Sequence, residues 1–203
     1  DVIQQMDWCV GEVVATLRKH NLLDNTLLIF TSDNGPVVDD GYQDGAVKDL
    51  NGHAPAGPLR GGKYSAFEGG TRVPWIVHWP ARVKPGVSHA LICQVDLIAT
   101  LGALVNAGAD LSTAADSKNV LPALLGESAT GRDHLVEHAG VLSVRQGAWK
   151  LIEAGRGPRV FANTKTETGQ APTAQLFRLD TDLGETRDLA SEQPEQVRRL
   201  SAL

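Results

Sequence analysis

No stretch of this sequence approaches the roughly 18 consecutive apolar residues that a membrane helix needs, which excludes a spanning helix. Positive charge is also scarce. Lys and Arg number 19 against 24 Asp and Glu, for a formal charge of −5, and this argues against general nucleic-acid binding. It leaves an anionic small substrate open, because a few local cations decide that. Cysteine is almost absent. Cys9 and Cys93 lie far apart, fit no metal-ligand spacing and sit in apolar surroundings, so they read as buried free thiols, with one disulfide left open. Initiator methionine and signal peptide are missing too. The chain opens inside a helical pattern, which reads as a processed protein or a piece of a longer one.

What is present is ordinary for a globular chain: 203 residues, 42% apolar and 21% charged. That length supports one substantial core, or a main domain with a small appendage. Ile3, Met6, Val10, Val13, Val14 and Leu17 fall on one helical face, with Lys19 and His20 in the last turn where the helix dipole favours cations. A short loop leads to an apolar strand over 27–31. Helix, loop and strand in that order predict a parallel α/β unit. Residues 35–62 are rich in Gly, Pro and Asp with no sustained period, and a loop of that length is usually functional. "RVPWIVHWP" predicts a strand stopped by Pro80. "QVDLIATLGALVNAG" predicts a helix with Asp96 near its start and Gly108 closing it. From about residue 135 short strand-like runs alternate with Gly turns, predicting an antiparallel sheet, and "PEQVRRLSAL" predicts a terminal helix. The division is 1–132, part of an α/β domain, and 133–203, a small antiparallel subdomain.

Chemistry concentrates in two places. The strand in "TLLIFTSDNGP" ends in Asp33 and Asn34, a carboxylate and an amide carbonyl. Ligands of open α/β sheets bind outside the carboxyl ends of strands, and such oxygens suit Ca²⁺ or Mg²⁺. Asp-Asn-Gly is equally ordinary turn chemistry. In "GPLRGGKYSAFEGGTRVP" two Gly-Gly pairs flank Lys63, letting backbone approach a ligand closely. Lys63 is a suitable point charge for a tetrahedral oxyanion. Arg72 reads instead as a partner of Glu68, four residues earlier, fixing the loop. His53 lies in the long polar loop and could face substrate. His138, ending a strand beside Glu137, is a second candidate for acid chemistry. "DTDLGE" at 180–185 reads as an acidic turn, since it lacks the length and spacing of a calcium loop.

Taken together, these blocks resemble the sulfatase family of alkaline-phosphatase-like hydrolases, over its later half. "DNTLLIFTSDNGP" resembles the family's strand ending in an Asp-Asn pair, and "GPLRGGKYSAFEGGTRVPWIVHWPARVKPG" its lysine-bearing glycine loop and following strand. "VDLIATLGALVNAG" resembles its next helix, with Ala99 where a proline is common. "SVRQGAWKLI" and "LFRLDTDLGETRDLA" resemble its C-terminal antiparallel sheet. The resemblance implies an α/β fold: part of an alkaline-phosphatase-like, parallel-rich sheet with flanking helices, then a small antiparallel sheet and a terminal helix. It implies that Asp33 and Asn34 are metal ligands for Ca²⁺ and that Lys63 contacts a sulfate oxygen; His53 and His138 stand beside these as substrate-side candidates on their position alone. The substrate would be a sulfated small molecule or glycan, and the location exported (periplasmic or secreted) or lysosomal.

The family's nucleophile is a formylglycine made from a Cys or Ser in Cys/Ser-x-Pro/Ala-x-Arg, whose hydrate attacks sulfur. Here Cys9 continues as "CVGEV" and Cys93 as "CQVDL", so neither is that precursor. The aspartates of the family's first strand and the lysine and histidines of its middle segment are missing as well. The expectation is a C-terminal portion of a longer sulfatase, inactive alone, with an open sheet edge that pairs with the remainder of the chain or with another copy. Two alternatives stand beside it. A phosphoester hydrolase of the same superfamily would carry a Thr or Ser nucleophile with Mn²⁺ or Zn²⁺ ligands, and a non-catalytic anion-binding module would fold and bind alone. Asp39, Asp40, Asp44 and Asp49 hint at a site that is not broadly polyanionic.

Overall fold

The computed structural model describes residues 2–42, 45–107 and 114–203, so Asp44 and Gly108 lie outside the described residues. Two compact units interleave along the chain: 1–31 with 75–131, and 32–74 with 132–203.

The first unit begins with helix α1 (Val2–Lys19), whose last turn carries Arg18 and Lys19. Its apolar stripe is not covered: Ile3 is 70% and Met6 45% exposed. Strand β1 (Leu28–Thr31) pairs with β2 (Trp75–His78), Ile29 opposite Val77 and Thr31 opposite Trp75. Where the helix–loop–strand order predicts parallel neighbours, this pairing is antiparallel; the chain leaves β1 for the long excursion of 32–74 and returns in the opposite direction. Asp96 organises the segment after β2. Its Oδ2 accepts the Cys93 N–H at 3.0 Å and its Oδ1 the Lys118 N–H at 2.9 Å, which starts the helical run into α3 (Leu97–Leu104), with the short helix α4 (Leu121–Leu124) after it. Both cysteines are free, Cys9 exposed and Cys93 half-buried, so the expected burial does not hold. Cys9 lies on α1, which buries none of its residues.

The second unit holds the short helix α2 (Glu68–Thr71) and a four-stranded antiparallel meander: β3 (Leu135–His138), β4 (Leu142–Gln146), β5 (Trp149–Ile152) and β6 (Gln175–Arg178). Alternation sorts its faces. Val144, Leu151 and Leu176 face helix α5 (Pro194–Ser201) and bury Leu200 against Trp149, Leu189 and Val197. Ile152 and Phe177 face the other way and pack against Ala66 and Phe67 of the glycine loop. Full burial of each such side chain contributes about 1.5–3 kcal/mol. The sheet is therefore a floor on which the Lys63 loop is seated. Among the described residues no helix is long and apolar enough to cross a membrane.

Candidate active site

The turn after β1 is stitched by its own side chains. Asp33 Oδ1 accepts the Asn34 N–H at 3.0 Å, Asn34 Nδ2 donates to the Gly35 carbonyl at 2.8 Å, and Ser32 Oγ donates to the Asn34 carbonyl at 3.0 Å. With its amide nitrogen committed inward, Asn34 keeps its side-chain oxygen as an acceptor, beside an exposed Asp33 carboxylate. This is a hard-oxygen donor pair of the type a Ca²⁺ ion takes, supplying two of its roughly six to eight ligands. Among the described residues no group of three or more His, Cys, Asp or Glu completes a shell.

Two backbone hydrogen bonds tie that turn to the glycine loop. Gly35 N–H donates to the Gly70 carbonyl and Lys63 N–H to the Pro36 carbonyl, each at 2.9 Å. The approach demands glycine. A Cβ on Gly35 would lie 1.7 Å from the Gly69 carbonyl oxygen, and one on Gly62 would lie 2.5 Å from that of Pro36. These glycines thus let two loops share one backbone frame, which carries both the Asp33–Asn34 turn and Lys63. Pro36, Val38, Ala56, Leu59, Gly62 and Thr166 line a small cavity of about 250 Å³ beside that frame.

The three cations of the loop take different roles. Arg60 is structural: it makes a two-point pair with Glu167 at 2.7 and 2.9 Å, donates to the Glu185 carbonyl at 2.7 Å and covers the Phe67 ring. Arg72 lies 3.6 Å from Glu68, as its spacing predicts. Lys63 points its Nζ at Asp40 Oδ2, 2.7 Å away, and that hydrogen bond raises the lysine pKa while lowering that of Asp40. His53 is exposed in the long loop, next to the 54–57 segment that lines the cavity. His138 is exposed at the end of β3, on the face opposite Glu137. The acidic turn holds as read, since Asp182 accepts the Thr186 and Arg187 N–H groups, each at 2.8 Å.

A buried charge network beneath the loop escapes the sequence patterns. Lys150, 0% exposed, donates to Glu68 Oε1 at 3.0 Å, Thr71 Oγ1 at 3.1 Å and Glu137 Oε2 at 3.0 Å. Arg145 reaches the other Glu68 oxygen at 3.0 Å. Burial pushes the Glu68 carboxyl up, but Lys150 and Arg145 outweigh it and hold its pKa below the usual value. Burial likewise pulls Lys150 down, and Glu137 with Glu68 more than restores it. Glu185 accepts the Glu68 N–H at 2.7 Å through Oε2. Its Oε1 is buried without a partner, and burial raises its pKa to about 7. One signal was available. Lys150 shares a sheet face with Ile152 while Leu151 faces α5, so a charge stands at an inward position and requires a buried partner.

The Sulfatase family model matches residues 1–107. N-acetylgalactosamine-6-O-sulfatase of Bacteroides thetaiotaomicron is 48% identical over 205 residues, covering 100% of this chain and 40% of the relative. The chain belongs to the sulfatase family. Human arylsulfatase A is 32% identical over 224 residues, covering 100% of this sulfatase chain and 42% of its own length. A solved structure described with the metabolism of multiple glycosaminoglycans by B. thetaiotaomicron superposes with a TM-score of 0.96 at 48% identity, over 100% of this chain and 42% of that one. The sulfatase chain thus spans about 40% of the length of these two curated relatives, as a C-terminal portion.

Proposed function

We propose that this chain is the C-terminal part of a sulfatase that hydrolyses sulfate esters of carbohydrates. The observation that carries the reading is the shared frame. Gly35 to Gly70 and Lys63 to Pro36, both at 2.9 Å, hold an oxygen-ligand pair and a lysine on one scaffold. Asp33 and Asn34 would hold Ca²⁺, which supplies charge stabilisation for the sulfate oxygens when bound. Lys63 adds an ammonium group, whose N–H donors not committed to Asp40 orient a sulfate oxygen. The cavity beside Gly62 takes part of the leaving group, and His53 and His138 are assigned to its surroundings. The formylglycine nucleophile belongs to the remainder of the protein, so the 203-residue chain alone is inactive. The 48% identity to an N-acetylgalactosamine-6-O-sulfatase makes a 6-sulfated amino sugar the first substrate to try. The exposed apolar face of α1 docks against the rest of the protein or a second copy. An exported or lysosomal location follows the family.

The test is sulfate release from N-acetylgalactosamine 6-sulfate by the full-length protein, with calcium and after chelation, for wild type and Asp33→Ala. Calcium-dependent release that Asp33→Ala abolishes supports the reading. Release indifferent to both calcium and Asp33 removes the metal assignment, and no release from any sulfate ester removes the whole.

A further inference from the structure

The Lys63 ammonium is not presented bare. Asp40 is gripped from two sides, by Lys63 Nζ at 2.7 Å and by the Tyr64 hydroxyl at 3.0 Å. The grip is built into the backbone. Tyr64 sits at φ 76° and Asp39, beside Asp40, at φ 62°, both in the left-handed region that side chains rarely adopt. The Tyr64 ring is stacked on Phe161 at 4.4 Å between centroids, which fixes where its hydroxyl stands. Each partner of the ion pair remains about 30% exposed, so a ligand can reach it. Of the three ammonium N–H donors one is committed to Asp40, leaving others for a ligand oxygen. The pair as a whole is electrically neutral.

We propose that Asp40 is a specificity-determining residue that sets the charge of the anion Lys63 accepts, favouring a monoanionic sulfate ester over a dianionic phosphate monoester. This rests on the sulfatase reading, in which Lys63 faces the transferring group. The two esters are near-isosteres, so shape separates them poorly. Charge separates them well: a sulfate ester carries one negative charge, whereas a phosphate monoester loses its second proton near pH 6 and approaches two. A lone ammonium attracts the dianion about twice as strongly. With the Asp40 carboxylate adjoining, the advantage of the second charge is cancelled. For charges about 5 Å apart, at an effective dielectric between that of a protein surface and that of water, the discrimination is roughly tenfold.

The experiment is calorimetric titration of the full-length, calcium-loaded protein with phenyl phosphate and with phenylmethanesulfonate, a monoanion that cannot be hydrolysed. Both are run at pH 8 and pH 5 on wild type, Asp40→Asn, Asp40→Glu and Tyr64→Phe. At pH 8 Asp40→Asn is expected to shift the affinity ratio toward the phosphate by about tenfold. Tyr64→Phe shifts it less in the same direction, and Asp40→Glu, which keeps the charge, retains the wild-type ratio. At pH 5, where the phosphate is a monoanion, the variants converge to within about twofold. An Asp40→Asn protein whose ratio is unchanged, or which loses both ligands equally, overturns the proposal. If wild type still hydrolyses sulfate esters, only this proposal falls. If wild type binds neither anion and hydrolyses no sulfate ester, the sulfatase reading falls with it.

Discussion

Replacing Lys150 with methionine tests how the Lys63 loop is held. Methionine keeps the apolar stem but removes an ammonium that is 0% exposed and donates to Glu68, Glu137 and Thr71 at 3.0, 3.0 and 3.1 Å. Glu68 would retain Arg145, but Glu137 and the partnerless oxygen of Glu185 would lose their nearest buried cation. Breaking one side of a buried pair costs about 3–5 kcal/mol. At 1.36 kcal/mol per decade, the local opening constant of the loop rises by roughly two to nearly four decades. Hydrogen exchange of a peptide spanning 60–72 reads this directly, because the Glu68 and Gly69 N–H groups are held by Glu185 and by the Arg60 carbonyl. Exchange in that peptide should accelerate at least a hundredfold. Acceleration of less than threefold would refute the claim that Lys150 seats the loop. Pairing Lys150→Met with Glu68→Gln should be less damaging than the sum of the two, by about 1–3 kcal/mol.

The same network gives a pH dependence. Glu185 has its folded pKa raised to about 7, so between about pH 4.5 and 7 the folded state binds more protons than the unfolded one. Its contribution is fully present below the unfolded pKa and is lost as pH rises through 7, by at most about 3 kcal/mol. Glu68 has the opposite sign, and its contribution is lost as pH falls through its lowered pKa. Urea midpoints at pH 5 and pH 8 should therefore differ more in wild type than in Glu185→Gln, and equal differences would contradict the assignment. Gly35→Ala should destabilise by about 3 kcal/mol, since its Cβ would meet backbone 1.7 Å away; a loss under about 0.5 kcal/mol in thermal unfolding would count against the shared frame. Millimolar Ca²⁺ should raise the melting temperature of the full-length protein by mass action and should fail to do so for Asp33→Ala. An equal rise in both would move the metal elsewhere.

Local pattern carried much of this structure. The Gly-punctuated runs after residue 135 become a four-stranded meander, Asp96 starts its helix, and the Asp-Asn pair and Lys63 lie on one frame. What local pattern could not carry is pairing across the chain. Lys150 finds Glu68 across 82 positions and Glu185 finds it across 117, distances at which no periodicity operates. The orientation of β2 against β1 is hidden for the same reason, because it depends on how the excursion between them returns. Asp40 illustrates a further limit. One among several loop aspartates, it is set apart by the Lys63 ammonium and by a left-handed Tyr64 that turns its hydroxyl toward it.

The most direct test of the central claim is sulfate release by the calcium-loaded, full-length protein with and without Lys63→Ala. Wild type should turn over a 6-sulfated amino sugar, with kcat falling by about 10²–10³ when the lysine is removed. Wild-type turnover with Lys63→Ala within a few-fold of it would remove Lys63 from the reaction, since the loop would then hold no group that catalysis uses.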